Sequence, residues 1–131
     1  MSKQDAISQQ YQRRFAANAE YRDLVWRAIN SAILSRYVAE DATVLDLGCG
    51  WGEFIRNIDA GSRHAMDLNP DSGPMLGPHI NFLQQDCSEP WSLEDDSLDV
   101  VFTSNFLEHL STKSKIEDTL DQARRCLKPG G

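Results

Sequence analysis

A run of glycines at alternate positions is the part of this chain best suited to binding a ligand. Residues 44–54 read Val-Leu-Asp-Leu-Gly-Cys-Gly-Trp-Gly-Glu-Phe, so a strand-like run leads into Gly48, Gly50 and Gly52 and then into a helix-like stretch. Glycine lets the backbone turn sharply and approach a ligand closely, and the first turn of a helix offers unpaired N–H groups. The segment therefore predicts a binding turn between a strand and a helix, with Asp46 at the end of the strand.

The residues around the glycines separate three classes of ligand that use such a turn. A phosphate-binding P-loop requires Gly-Lys-Ser/Thr, and the sequence has no lysine between Lys3 and Lys113. A dinucleotide-binding turn requires a third small residue where this chain has Glu53, whose carboxylate repels a pyrophosphate. The pattern that remains is Asp-x-Gly-x-Gly-x-Gly over residues 46–52, with an acid at the end of the first strand.

This pattern resembles motif I of the class I S-adenosylmethionine-dependent methyltransferases, whose cationic sulfonium ligand tolerates neighbouring acids. Two further acids match the same family: Asp67 closes a second strand 19 residues after the first glycine, and Asp86 follows a third strand. Residues 96–110 and 127–131 resemble the fourth strand, its helix and the lead into strand five of the small-molecule (type 11 and 12) members. The resemblance covers residues 42–131.

The resemblance implies S-adenosyl-L-methionine as the cofactor, S-adenosyl-L-homocysteine as its product, and no metal. It implies that Asp46 bonds loop amides and faces the methionine amino group, and that Asp67 binds the ribose 2′ and 3′ hydroxyls. Asp86 is implied to accept from the adenine amino group, Leu68 to lie against adenine, and Cys87 to offer its backbone N–H to the ring. The cofactor-binding set implied in this way is Asp46, Gly48, Cys49, Gly50, Trp51, Gly52, Asp67, Leu68, Asp86, Cys87 and Asn105.

Hydrophobic periodicity predicts the elements that position these residues. Residues 1–40 are predicted as two helices that break near Asn18, and from Ala42 short β-type runs alternate with helical stretches. This alternation predicts an α/β, Rossmann-like parallel sheet made of strands 1 to 4 of the methyltransferase fold. The strands are predicted at 43–47, 63–68, 80–83 and 98–103, and the last helix carries an apolar face of Ile116, Leu120, Ala123 and Leu127.

Two domains are predicted, an N-terminal helical lid over residues 1–40 and an S-adenosylmethionine-binding Rossmann-like domain over residues 41–131. The lid carries aromatic and guanidinium side chains that can fold over the cofactor. An arginine there can pair with the carboxylate of the cofactor or of an anionic substrate. The side chains in question are Tyr11, Arg14, Tyr21, Arg22 and Trp26.

The chain ends in Pro-Gly-Gly at residues 129–131, directly after a predicted helix. Because such an ending typically leads into another strand, we expect the C-terminal strands of the fold to be missing from this sequence. The fourth strand then keeps an open apolar edge, which predicts pairing of two copies as a homodimer.

The implied reaction is methyl transfer by in-line displacement, which requires the acceptor to be held about 3 Å from the methyl carbon with water excluded. His109 is the candidate catalytic base for a hydroxyl acceptor, because it follows the fourth strand at the sheet edge where α/β proteins bind ligands. Residues 104–107 share only the Asn with the Asn/Asp-Pro-Pro-Tyr/Phe motif of DNA-base amino methyltransferases. The predicted function is therefore O- or N-methylation of a small organic acceptor, such as a sugar or another biosynthetic metabolite.

Composition and charge restrict the partners and the location. The net charge is −7, and residues 41–131 hold sixteen acidic side chains against seven basic ones, which disfavours nucleic acid. No apolar stretch approaches the roughly 20 residues that span a bilayer, and the N-terminus has no secretory signal. Three distant cysteines suggest neither a disulfide framework nor a zinc site, so we expect reduced thiols and a cytoplasmic location.

Two other functions remain open on the sequence. One is a non-catalytic regulatory module that binds S-adenosylmethionine without transferring its methyl group. The other, more remote, is an NAD-dependent oxidoreductase, which predicts NAD binding at the glycine turn.

Overall fold

The computed structural model describes residues 2–131, apart from the side chains of residues 4, 7, 8, 11, 12, 14 and 15. Four parallel strands form one sheet in the order β3-β2-β1-β4. The strands are β1 (Thr43–Leu47), β2 (Ser62–Asp67), β3 (Asn81–Gln84) and β4 (Val100–Phe102). The helices are α1 (Lys3–Ala32), α2 (Glu53–Asn57), α3 (Ser72–Leu76) and α4 (Lys113–Cys126), with short 3-10 turns at Leu34–Arg36 and Leu107–His109. The predicted α/β class and parallel sheet are confirmed.

Strand β1 is buried from both faces, which divides the core into two layers. Val44 belongs to the cluster under α1 and α2, and the next residue, Leu45, belongs to the cluster under α4. Successive side chains of a strand point to opposite faces, so two adjacent apolar residues require cover on both sides. Asp46 pairs with Ala65 of β2 on one side and with Phe102 of β4 on the other, which places its carboxyl group at the centre of the sheet.

The first helix is continuous, so the predicted break near Asn18 is wrong. Residues 3–32 contain neither glycine nor proline, and a single asparagine lowers helix propensity by less than about 1 kcal/mol. The helix begins at a capping box, in which the Asp5 N–H donates to Ser2 Oγ at 3.1 Å and the Ser2 N–H donates to Asp5 Oδ2 at 2.9 Å. Among the described residues, no helix is both long and apolar enough to cross a membrane.

The C-terminal half of α1 packs against α2 through both apolar and charged contacts. The Trp26 ring lies edge-on to Phe102 of β4, with centroids 5.9 Å apart, and Phe102 in turn stacks on Phe54. Asp23 forms an ion pair of 3.1 Å with Arg56 and accepts a hydrogen bond of 2.8 Å from Asn57. These contacts place α1 beside the glycine turn from which α2 starts.

Helix α4 buries the predicted apolar face with one exception, because Leu120 is exposed and Thr119 is buried in its place. Thr119, Ala123 and Cys126 are buried, whereas the side chain of Leu120 is 52% exposed. A hydroxyl can replace a methyl group at this position because Thr119 Oγ1 donates to the carbonyl of Lys115 at 2.6 Å. After Cys126 the chain becomes extended, and Leu127 forms a parallel bridge with Leu98.

Candidate functional site

The glycine turn folds back onto the second strand. Gly48, Gly50 and Gly52 have φ values of 71°, 53° and 76°, a region that other residues rarely adopt. The N–H groups of Gly48 and Cys49 both donate to the carbonyl of Met66, at 2.9 and 3.1 Å. The start of the turn is therefore held against β2.

The three glycines differ in what lies over them. A Cβ on Gly48 would overlap the ring of Phe106, and a Cβ on Gly52 would overlap the side chain of Leu76. A Cβ on Gly50 would meet no atom within 4 Å. Gly50 thus borders open space at the tip of the turn, which is the position where a ligand can approach the backbone.

Asp67 joins the turn to the end of β2. Its Oδ2 accepts a hydrogen bond of 2.9 Å from the N–H of Gly50, and its Oδ1 accepts one of 2.9 Å from the N–H of Asn69. Each carboxylate oxygen can accept a second hydrogen bond. Asp67 can therefore bind a pair of hydroxyls while it continues to hold the turn.

Asp46 is a buried acid at the centre of the site. Its side chain is 4% exposed, and burial, followed by the nearby carboxylates of Glu53 and Asp67, raises its pKa to about 7. The N–H of Ile55 in α2 bonds its carboxyl group and opposes this shift. The loop amide of Gly50 is bonded by Asp67, and the bonding of other loop amides by Asp46 stays a prediction.

Asp86 follows β3, the strand that neighbours β2 on the side away from β1. Its Oδ1 accepts from Ser88 Oγ at 2.7 Å and from the Ser88 N–H at 2.9 Å, and its Oδ2 lies 3.7 Å from Lys115 Nζ. These hydrogen bonds from Ser88, with the lysine beside them, hold the pKa of the Asp86 carboxyl below its usual range. Asp86 is therefore an anion with one oxygen engaged and the other directed toward Lys115.

A cleft of about 190 Å³ connects Asp67 with Asp86. Its lining is a mixture of apolar side chains and a few polar groups, which is typical of pockets for small molecules. The implied residues Asp67, Leu68, Asp86 and Cys87 are brought together here, and Leu68 is 64% exposed at the rim. The other lining residues are Met66, Gln85, Phe106, His109, Leu110, Ser111 and Lys115.

The two cysteines of the implied set are buried. Cys49 packs in the core under α2, and burial raises the pKa of its thiol far above the ordinary value. Cys87 is packed in the opposite layer, and its carbonyl accepts a hydrogen bond of 2.8 Å from Trp91 Nε1. Any contact of these residues with a ligand therefore involves their main chain, because neither thiol is ionised near neutral pH.

Asn105 and Trp51 lie outside this cleft. Asn105 has a left-handed backbone, with φ of 51°, and its exposed side chain donates to Ser104 Oγ at 3.4 Å. That turn directs the following residue, Phe106, onto Gly48. The carbonyl of Trp51 accepts from Arg56 Nε at 3.1 Å, so the residue is fixed at the start of α2. Their roles toward a cofactor stay predictions.

Among the residues the structure describes, His109 is the one histidine that lines the cleft. Its side chain is 72% exposed, and its Nε2 lies 4.0 Å from Glu108 Oε1. His64 lies three residues before the end of β2, where its Nδ1 lies 3.0 Å from Asn81 Nδ2. His79 is exposed in the loop before β3. Base catalysis by His109 stays a prediction.

The predicted lid residues differ in their surroundings. Arg22 Nε donates to Glu53 Oε1 at 2.9 Å, so this guanidinium pairs with the first residue of α2. Tyr21 is exposed and Trp26 belongs to the packed aromatic group described above. The side chains of Tyr11 and Arg14 lie outside the described residues, and closure of the helix over a cofactor stays a prediction.

Phe106 and Lys115 are among the cleft residues that are absent from the set that the sequence implied. Phe106 stands within the segment that resembles the fourth-strand motif, but its contact with Gly48 joins residues 58 positions apart. Lys115 lies in the first turn of an amphipathic helix, where a lysine is common. No local signal distinguishes it from Lys113, two residues earlier.

Comparison with known proteins agrees with this geometry. The model of the methyltransferase-domain family matches residues 44–131. Phosphoethanolamine N-methyltransferase 1 of Triticum aestivum is 32% identical over 110 residues, which cover 76% of this chain and 22% of the relative. A solved S-adenosylmethionine-dependent methyltransferase from Archaeoglobus fulgidus has 28% identity and a TM-score of 0.66, over 88% of this chain and 53% of that one.

A third protein shares the fold. The N-methyltransferase NodS of Bradyrhizobium japonicum, solved with S-adenosyl-L-homocysteine, has 18% identity and a TM-score of 0.67, over 80% of this chain and 58% of that one. The fold is thus that of the class I S-adenosylmethionine-dependent methyltransferases. The chain belongs to the methyltransferase-domain family, which confirms the predicted family. The predicted cofactor, S-adenosylmethionine, is the one for which the Archaeoglobus fulgidus structure is named. The chain spans between 22% and 46% of the length of the curated relatives that it matches.

Proposed function

We propose that this chain binds S-adenosylmethionine and takes part in methyl transfer to a small organic acceptor. The observation that carries the proposal is the position of Asp67, which bonds the open glycine turn at Gly50 and also lines the cleft that holds Asp86. One acid thus joins a backbone cradle to an apolar cleft, an arrangement suited to a nucleoside whose substituent runs over the turn.

The residues present fit such a cofactor at three points. The space over Gly50 is open to a ligand, the cleft offers a carboxylate to an amino group, and the acids Asp46, Glu53 and Asp67 lie close enough together to raise the pKa of Asp46. Opposite charges attract more strongly away from bulk water, so this turn favours a cationic ligand over a pyrophosphate. The same acids make NAD the weaker candidate.

When bound, S-adenosylmethionine supplies an electrophilic methyl carbon on its sulfonium. The chain's own contribution is to hold that group and to keep water from it. Asp67 positions the ribose, Asp86 positions the base, and Asp46 faces the amino group of the methionine part. No residue of this set has to transfer a proton for displacement to proceed.

The acceptor is proposed to be an amine or a hydroxyl of a small metabolite, sugars included. The wheat relative is named for N-methylation of phosphoethanolamine, which supports a small polar acceptor. His109, at the rim of the cleft, is the candidate base if the acceptor is a hydroxyl. A transfer assay with His109→Gln distinguishes the two cases. The rate of methyl transfer to an amine should change little, whereas the rate of transfer to a hydroxyl should fall roughly 100-fold or more.

The test begins with calorimetric titration of this chain with S-adenosyl-L-homocysteine, with NAD as the control ligand, after a cooperative thermal melt has been recorded. Saturable binding of the nucleoside and none of NAD supports the proposal. A folded chain that binds neither ligand contradicts the proposal. A chain that binds NAD alone favours the oxidoreductase.

A non-catalytic module is the competing proposal, since it requires the same site. Methyl transfer by the whole protein across a panel of amine, hydroxyl and carboxylate acceptors separates the two. Tight binding of S-adenosylmethionine with no transfer to any acceptor favours the module. Pairing of two copies through the edge of β4 also stays a proposal, and the sedimentation coefficient of the chain tests it.

A further inference from the structure

Lys115 is the one cationic side chain among the residues described as lining the cleft. Its Nζ lies 3.7 Å from Asp86 Oδ2, and its side chain is less exposed than that of Lys113 in the same helical turn. Lys113 points outward and pairs with Glu117 at 3.4 Å. The two lysines therefore offer a comparison within one turn of α4: one faces the cleft and the other faces solvent.

The position of Lys115 is set by hydrogen bonds within α4 and by a contact between α4 and the loop after β3. The Lys115 N–H donates to Thr112 Oγ1 at 3.2 Å, and its carbonyl accepts from Thr119 Oγ1 at 2.6 Å. Thr119 is fully buried, and its hydroxyl lies 3.5 Å from the sulfur of Cys87, the residue after Asp86. The segments that carry the lysine and the aspartate are thus joined by a buried contact between the side chains of Thr119 and Cys87.

Stabilisation of the fold is a poor explanation for this ion pair. Partly exposed ion pairs contribute little to stability, and Lys113 with Glu117 supplies such a pair on the outer face. The Asp86 carboxylate already accepts two hydrogen bonds from Ser88, so it has no need of a counter-ion to remain charged. The ammonium group instead places a donor beside the carboxylate oxygen that Ser88 leaves free.

We propose that Asp86 Oδ2 and Lys115 Nζ together bind the 6-amino group and the N7 atom of adenine, so that Lys115 is a base-specificity residue. This inference rests on the proposed function. An acceptor beside a donor matches the amino group and N7 of adenine, which lie side by side on one edge of the base. Neither Asp67 nor Asp46 is assigned to the base in the proposed function, which leaves N7 for the lysine.

The chemistry of the two groups divides the recognition between them. An ammonium has three donors and no acceptor, so it can bond N7 but cannot bond the amino group. A carboxylate accepts only, so it selects a 6-amino purine over a 6-oxo purine. Lys115 therefore adds a contact that depends on N7 and on no other atom of the base.

The experiment compares S-adenosyl-L-homocysteine with its 7-deaza analogue, in which N7 is replaced by C–H. Calorimetric titration gives the affinity of the wild-type chain, Lys115→Met, Lys115→Arg and Lys113→Met for both ligands. We expect the wild type and Lys113→Met to bind the 7-deaza ligand roughly 10-fold more weakly, because a charged hydrogen bond is lost. Lys115→Met should bind both ligands equally, and Lys115→Arg should retain a preference for N7.

Two results overturn the inference while they leave the proposed function intact. One is equal affinity of the wild type for the two ligands, which needs no variant to be folded. The other is a Lys115→Met variant that still prefers N7 as the wild type does, since the lysine would then act on the fold alone. If the wild type binds neither ligand, the proposed function fails first and the inference fails with it.

Discussion

Asp67 Oδ2 accepts a hydrogen bond of 2.9 Å from the N–H of Gly50, so the acid that ends β2 holds the glycine turn that follows β1. The backbone at Gly50 has a φ of 53° and borders open space. The hydrogen bond and the left-handed backbone together hold the turn in place before a ligand arrives. A site that is organised in advance loses less conformational entropy on binding.

Replacement of Asp67 by alanine tests this link directly. Asp67→Ala should weaken binding of S-adenosyl-L-homocysteine by about 1 to 3 kcal/mol, because the ribose hydroxyls and the Gly50 N–H lose their acceptor. Titration calorimetry measures the change, with exposed Asp121→Ala as the control. A folded Asp67→Ala variant of unchanged affinity would contradict the role given to this acid.

A side chain at Gly50 should abolish cofactor binding with a limited effect on the fold. Gly50→Val fills the open space over the turn and adds left-handed strain of about 1 to 2 kcal/mol. Gly77, with φ of 83° and equally open surroundings, is the matched control, because Gly77→Val is strained but lies away from the cleft. Loss of binding in both variants would show that strain, and not occupation of the site, is responsible.

Asp46 should make the stability of the unliganded chain fall as pH rises. Its pKa is about 7 in the folded chain and near 4 when unfolded, so between these values the folded chain keeps a proton that the unfolded chain has lost. The contribution is complete near pH 4 and lost above pH 7, a change on the order of 4 kcal/mol. Urea unfolding of wild type and Asp46→Asn from pH 4 to 8 isolates it, and parallel profiles would refute it.

The same titration should appear in ligand binding. If the Asp46 carboxylate faces the ammonium of S-adenosyl-L-homocysteine, binding draws off the proton and affinity rises about 10-fold from pH 6 to pH 8. Calorimetry in buffers of different ionisation enthalpy counts the released proton. Asp46→Asn should release none and should show no such rise. Proton release by Asp46→Asn equal to that of the wild type would assign the titration to another group.

Gly48 and Phe106 should be coupled in stability. A methyl group on Gly48 overlaps the Phe106 ring, so Gly48→Ala should lose about 1 to 3 kcal/mol to overpacking in addition to backbone strain. In a Phe106→Ala background the overpacking disappears and only the strain remains. A double-mutant cycle by chemical denaturation measures the difference, and additive effects would exclude the contact.

The order of strands and helices along the chain was predictable because each strand is a short apolar run and glycine or proline marks several of the turns between them. Asp46, Asp67 and Asp86 follow or end strands that are parallel, and parallel strands bring their carboxyl ends to one edge of the sheet. The convergence of Asp67 and Asp86 on one cleft is therefore a consequence of strand order. Periodicity and residue type predict the strands and the acids at their carboxyl ends, and no distance has to be known for this.

Contacts between distant segments were not predictable in the same way. The continuity of α1 through Asn18 is a local property, and the prediction of a break there was wrong. The burial of Thr119 in place of Leu120 depends instead on how α4 is rotated against the sheet. The ring of Phe106 on Gly48 and the ammonium of Lys115 beside Asp86 likewise join residues far apart in the chain.

The sequence by itself determined the fold class, the glycine turn and the acids at the strand ends, because these follow from local backbone preference and from periodicity. Only the tertiary structure decided that Asp67 bonds the turn at Gly50, and that Lys115 lines the cleft while Lys113 is exposed to solvent. The physical reason is that hydrogen bonds and packing act over a few ångströms, and the folded chain alone sets which distant side chains come that close.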